Sequence, residues 1–171
     1  MKNFIASLVV GFGIYIMSTC MPLFQVGAAP LAMGGSVGGD FPLAQDDSYG
    51  AGISAEGFYR VDPYEIRFHY SATKVETYSL VLGQKYFFSQ GIVRPFVEGA
   101  IGPVIVHTND KGLAYGAKPD FSLGTDVAIN SHFSTGASMR YYALAYFGST
   151  NSGKFEANHG FSLMGHLILW F

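Results

Sequence analysis

The sequence is poor in charge, with only 13% Asp, Glu, Lys and Arg, where ordinary soluble domains carry about a quarter. Much of its surface is therefore expected to meet something other than water. There is one cysteine, Cys20, which excludes a disulfide scaffold, and no fixed glycine period, which excludes a collagen-like chain. Basic clusters are lacking too. Ten Lys and Arg against twelve Asp and Glu leave a net charge of −2 with no basic stretch, so a nucleic-acid partner is not expected. Beyond the N-terminal stretch, no apolar run reaches the length of a membrane-spanning helix. At 171 residues the chain holds one sizeable domain, and 16% aromatic content excludes disorder.

The N-terminus carries Lys2, an apolar run from Phe4 to Ile16, and small residues at Gly27, Ala28 and Ala29. This is the pattern of a secretory signal peptide over residues 1–28, with Val26 and Ala28 at −3 and −1 and the mature domain at 29–171. Two other readings are a lipobox at Met17-Ser18-Thr19-Cys20, for which Met and Thr are poor residues, and an uncleaved helical anchor, for which the run is short. Every one of them takes the protein out of the cytoplasm.

Period-2 alternation dominates the rest. From Tyr49 to Tyr59 the odd positions are apolar or small while Ser54, Glu56 and Arg60 lie opposite, and after the Asp62-Pro63 turn Tyr64, Ile66, Phe68 and Tyr70 oppose Glu65, Arg67, His69 and Ser71. Tyr78, Leu80, Leu82, Tyr86 and Phe88 oppose Thr77, Ser79, Gly83 and Lys85; Val93, Val97, Ile101 and Ile105 oppose Arg94, Glu98 and Gly102. Phe121, Leu123, Val127 and Ile129 oppose Asp120, Ser122 and Asp126; Thr135, Ala137, Met139 and Tyr141 oppose Ser134, Ser138 and Arg140. Finally Phe161, Leu163, Leu167, Leu169 and Phe171 oppose Ser162, Met164 and His166. With glycine-rich Leu31 to Gly39 as a first strand, these make eight, an even number as a closed bacterial barrel requires. Connections near Val61-Pro63, Ser89-Gly91 and Asn130-Ser131 are short; Asp40 to Asp47, His107 to Ala117 and Gly148 to Asn158 read as long loops, with Ser71 to Val75 a short exception. Short periplasmic turns alternating with longer extracellular loops predict an all-β, antiparallel, up-and-down transmembrane barrel in an outer membrane, with outer-membrane lipid around it.

A soluble lipocalin-like barrel would reverse the two faces, since alternation alone does not say which is inside. The aromatic residues at strand ends, including Tyr49, Tyr59, Tyr64, Tyr70, Tyr78, Tyr86, Phe88, Tyr141 and Phe171, suit two membrane girdles, and the polar faces are Gly and Ser with isolated charges rather than Lys and Glu. The terminal Phe171, preceded at alternate positions by Leu169, Leu167 and Leu163, resembles the C-terminal signal through which outer-membrane barrels engage their assembly machinery. Arg94-Pro95-Phe96-Val97-Glu98-Gly99 and Arg140-Tyr141-Tyr142 are similar to signatures of small eight-stranded barrels of the OmpA and OmpX type. That resemblance covers the whole mature chain and implies a non-enzymatic membrane protein without cofactors. A chain ending at Phe171 is also expected to lack the cell-wall anchor of two-domain relatives.

The inward set then contains Glu56, Glu65, Glu98, Asp120 and Asp126 with Arg60, Arg67, Lys85, Arg94 and Arg140, five of each sign. An eight-stranded interior is just wide enough for side chains to fill, so these are expected to pair as a plug, with Ile168 and Trp170 as an apolar patch at the periplasmic end. A plugged barrel is no general diffusion porin; a narrow path for ions or small solutes is the alternative. A second alternative is a lipid A esterase, because His132-Phe133-Ser134 resembles the His-x-Ser pair of lipid A deacylases. Against it, no acidic residue lies between Ser134 and Glu156, Thr135 replaces that family's Asn, and the pair falls at a periplasmic turn. The five histidines are scattered without a zinc spacing, and no glycine loop precedes a helix. Asn109-Asp110 reads as a solvated loop tip, and any extracellular ligand would be held by the longer loops.

Overall fold

The computed structural model describes residues 31–43, 50–108, 112–147 and 155–171. The expected signal peptide with Cys20, the strand-end Tyr49 and the Asn109-Asp110 tip lie outside these residues. Eight strands run β1 Leu31–Pro42, β2 Gly52–Val61, β3 Tyr64–Ala72, β4 Glu76–Phe87, β5 Val93–Thr108, β6 Gly112–Ala128, β7 Phe133–Phe147 and β8 Phe155–Trp170. Each pairs antiparallel with the next, and β8 pairs with β1, so the sheet is closed in chain order. Backbone hydrogen bonding explains the closure: a strand in hydrocarbon must pair on both sides, and only a closed sheet has no edge.

The register fixes the shape. From Leu31 the cross-strand partners run Val61, Tyr64, Gln84, Gly99, Phe121, Tyr141, Phe161 and back to β1 at Phe41, ten residues along (41 minus 31). A shear of ten over eight strands corresponds to a strand tilt of roughly 40°. At that tilt β5 to β8, with 15 to 17 residues, rise about 10 Å above β1 to β4, with 9 to 12. Both described ends, Leu31 and Phe171, meet at one rim, where the Phe171 amide donates to the Leu31 carbonyl at 2.9 Å. The three short turns share this rim.

The apolar set faces outward. Val37, Ile53, Ile66, Phe68, Leu80, Leu82, Leu123, Met139, Leu163 and Leu167 are exposed, while their polar neighbours are buried. Phe41 stacks on Phe161 with ring centroids 5.3 Å apart, and Tyr70 lies against Tyr78 at 5.0 Å, forming part of an aromatic girdle toward the loop end. The outward Glu76 and His107, 3.5 Å apart, mark where that band stops. The lipocalin-like inversion is thereby excluded: the barrel carries a hydrocarbon-facing belt around a polar interior.

Strand limits at the loop end differ from the sequence reading. His107 to Ala117 is mostly strand, with only residues 109–111 between β5 and β6, and β8 begins at Phe155, inside the expected Gly148 to Asn158 loop, whereas β7 ends at Phe147 where that loop was expected to begin. The reason is chemical. At the loop end the inward face is itself apolar, with Val75, Val104, Val106, Ala114, Tyr142, Leu144 and Tyr146 packed together, so alternation of polarity fades while the strands continue. Gly102 and Gly116 permit close strand approach there, since a Cβ would stand 1.9 Å from the Leu80 carbonyl oxygen and 2.0 Å from that of Ala145. The first strand, expected over Leu31 to Gly39, extends to Pro42 and carries Asp40 into the barrel.

Candidate functional site

The barrel interior holds the only concentrated chemistry among the described residues. Period-2 geometry sends Glu56 and Arg60 of β2, Glu65 and Arg67 of β3, Lys85 of β4, Glu98 of β5, Asp120 and Asp126 of β6 and Arg140 of β7 inward, all buried. Arg67 is at the centre. It donates to Glu98 and, through Nη2, to both Asp120 oxygens at 2.9 and 3.2 Å, with Glu65 at 3.5 Å and Glu56 at 3.9 Å. Arg140 donates to Glu56 and to Ser122, and Glu56 also accepts from Ser36 at 2.8 Å. His69 Nδ1 lies 2.8 Å from the same Glu56.

Toward the turn end, Arg60 donates to Glu65 Oε2 from Nε at 2.8 Å and Nη2 at 2.6 Å. The rings of Phe58, Phe87 and Trp170 surround its guanidinium at 5.4 to 5.6 Å. Lys85 stands between Glu65 and Glu98, at 3.7 and 3.6 Å, with its ammonium 3.9 Å from the Phe96 ring centroid. Asp126 is held by His166 at 2.7 Å. Ile168 packs on Ala32 and Phe58, with Trp170 against them, closing this end with apolar surface.

Arg94 departs from the expected network. It is half-buried at the turn rim, donates to Ser134 Oγ at 2.7 Å and stacks over Trp170 at 4.8 Å, with no acid in its hydrogen bonds. Near the rim, burial pushes the Asp62 carboxyl above its usual range, against the pull of Arg60, Arg94 and Lys85. Two buried charges escaped the sequence reading: Asp40, placed in the Asp40 to Asp47 loop, and Lys118, which directly follows the His107 to Ala117 loop. Continuing the even-numbered alternation from Ser36 to Asp40 and from Asp120 back to Lys118 would have found them. Among the described residues six buried acids therefore face five buried bases, with Arg94 half-buried at the turn rim and Glu156, which accepts from the Tyr146 hydroxyl at 2.9 Å, half-buried at the loop end.

The His132-x-Ser134 pair does not converge. His132 lies exposed in the β6–β7 turn with Nδ1 3.3 Å from the Trp170 carbonyl, whereas Ser134 Oγ is buried and accepts from Arg94 and from Trp170 Nε1 at 3.0 Å. No group of three or more His, Cys, Asp or Glu suited to a metal exists among the described residues.

No protein-family model matches the sequence, and no curated protein matches it. Solved structures do match. Neisserial surface protein A superposes with a TM-score of 0.60 at 14% identity, over 84% of this chain and 97% of that one. Outer membrane protein OprG from Pseudomonas aeruginosa gives 0.51 at 11% identity, over 84% and 96%. The N-terminal β-barrel domain of Pseudomonas aeruginosa OprF gives 0.50 at 13% identity, over 85% and 99%. The fold is that of the small eight-stranded outer-membrane β-barrels.

Proposed function

We propose that this chain is a non-enzymatic integral protein of a diderm outer membrane, a sealed barrel that serves as a structural element or as a scaffold for surface interactions. One observation carries the reading. The interior is filled at mid-height by Arg67, with four carboxylates within 4 Å, and Arg140 beside it, which leaves side chains where a porin has water. In the orientation that the three short turns favour, the turn end faces the periplasm and the taller β5 to β8 wall faces outward. Interaction with a partner then belongs to the loop end, as function tends to sit on loops held by a rigid scaffold.

The exposed Leu163, Leu167, Leu169 and Phe171 on β8 support a role for that strand as the recognition segment for the barrel assembly machinery. The lipid-esterase reading has little support, because Ser134 Oγ is committed to Arg94 and Trp170, far in role from a nucleophile. A narrow path for ions or small solutes is favoured by one feature only, the run of buried polar side chains from Lys85 through Glu98, Arg67, Glu56 and His69 to Asp40, each within 4 Å of the next. Outer-membrane fractionation with heat-modifiable gel migration tests the main reading, alongside a variant lacking Phe171. A folded band in the outer membrane that shifts on boiling, and is depleted without Phe171, is expected. A detergent-independent soluble protein with no shift would overturn it.

A further inference from the structure

The outward wall of β6 and β7 is taller than the rest of the apolar belt. Every outward position of β6 from Leu113 to Val127 is uncharged, as is every outward position of β7 from Phe133 to Phe147. Each run spans fourteen residues (127 minus 113, 147 minus 133), or about 35 Å of height at roughly 2.5 Å per tilted residue. On β2 the outward run from Ile53 to Val61 spans eight (61 minus 53), about 20 Å, and on β4 and β5 the outward Glu76 and His107 end the apolar run. The hydrocarbon-facing band of an outer-membrane barrel is about 25 Å tall. Because the strands share the turn rim, about 10 Å of the β6–β7 wall stands above that band at the loop end.

The projecting part carries large apolar side chains. Tyr115 and Phe147, partners in register, are 62% and 64% exposed, and Leu113, in register with His107, is exposed as well. Below them Ala117, Ala145 and Ala157 lie in one row across β6, β7 and β8, so the wall there is flat. Within the belt a neighbouring protein gains little over lipid, which is as apolar as any side chain. Above the belt the same kind of surface meets water, and covering it is favourable. The anionic headgroups of outer-leaflet glycolipid find no Lys or Arg at the outward positions of β6 and β7, so charge does not hold them there. A second copy in the same membrane has the same orientation, and a two-fold axis along the membrane normal brings equal heights together, ring pair to ring pair.

We propose that the β6–β7 wall is the surface through which two copies of this chain pair in the outer membrane. Leu113, Tyr115 and Phe147 of one copy cover those of the other above the hydrocarbon, and the alanine row lets the two walls approach closely. The pairing rests on the membrane-embedded barrel, which heat-modifiable migration checks separately. It leaves both loop ends facing outward and both salt-bridged interiors untouched.

The test uses the full chain, its one cysteine replaced by Cys20→Ser, refolded in vesicles of phospholipid alone and of phospholipid with lipopolysaccharide. On mild oxidation Tyr115→Cys is expected to form covalent dimer, whereas Ile53→Cys, exposed on the short β2 side, is expected to stay monomeric. Without any engineered thiol, subunit counting by photobleaching at low protein density is expected to show dimers in both lipid mixtures. The double variant Tyr115→Lys/Phe147→Lys should lower the dimer-to-monomer ratio by about tenfold or more while keeping the heat-modifiable band; if it does not fold, the thiol comparison decides. Equal crosslinking at Tyr115 and Ile53, single copies throughout, a dimer unchanged in the double variant, or a dimer lost when lipopolysaccharide is added would each overturn the proposal, the last assigning the patch to glycolipid.

Discussion

Replacing Arg67 by Met removes the charge at the centre of the plug while keeping most of the side-chain volume. In the native barrel Arg67 is 2% exposed and donates to Glu98 and Asp120, with Glu65 and Glu56 also within 4 Å. Arg140 and Lys85 compensate these carboxylates only in part, since each already has acids of its own. Breaking a buried ion pair from one side costs about 3 to 5 kcal/mol, because the remaining charge is left uncompensated. Burial this complete leaves little solvent to screen the loss. With a urea slope of about 1 to 3 kcal/mol per molar, the midpoint should fall by roughly 2 M. Reversible urea unfolding of the barrel in lipid vesicles, followed by fluorescence of the single tryptophan, Trp170, and by loss of the compact gel band, measures it. The double variant Arg67→Met/Glu98→Gln should recover part of the loss, as expected for coupled neighbours. A loss below about 1 kcal/mol for Arg67→Met would refute the argument that this cluster holds the interior together.

Three more outcomes follow from particular contacts. Gly102→Val should abolish the folded band, since any Cβ there stands 1.9 Å from the Leu80 carbonyl oxygen, whereas Gly57→Ala should fold like the parent because its Cβ meets nothing within 4 Å. Leu163→Arg, on the lipid face of β8, should cost about 2 to 4 kcal/mol in vesicle unfolding if the site lies near the bilayer midplane; an effect near zero would argue that this face does not meet hydrocarbon. Ser134→Ala should cost about 1 to 3 kcal/mol by leaving the Arg94 and Trp170 donors without their acceptor, and should change no lipid in a mass-spectrometric lipid profile.

The barrel was legible wherever its two faces differ in polarity. On β3 apolar side chains outside and charged or hydroxyl side chains inside reproduce the alternation residue by residue, and on the last part of β8, from Phe161 toward Phe171, exposed Leu163, Leu167 and Leu169 alternate with buried Ser162, Met164, His166 and Ile168. At the loop ends of β5, β6 and β7 both faces are apolar, and glycine and proline there suggest loops; the strands persist because the closed sheet supplies their hydrogen bonds. Two buried charges were lost at strand ends, Lys118 on β6 and Asp40 at the loop end of β1. The inward set was legible as a list of residues, but its pairing was not. Which acid meets Arg67 depends on the stagger of ten residues around the barrel, and that offset comes from registers between strands distant in sequence. The uneven role of Arg94 has the same origin: its height at the rim places it among Trp170, Phe87 and Ser134 rather than among carboxylates.

Planar-bilayer recording from the refolded barrel tests the sealed interior most directly. A membrane that holds verified folded protein and passes no unitary current in molar salt is the result predicted from the Arg67 and Arg140 plug. Stable, stepwise conductance that scales with the amount of folded protein would contradict it and make the polar column a conduction path.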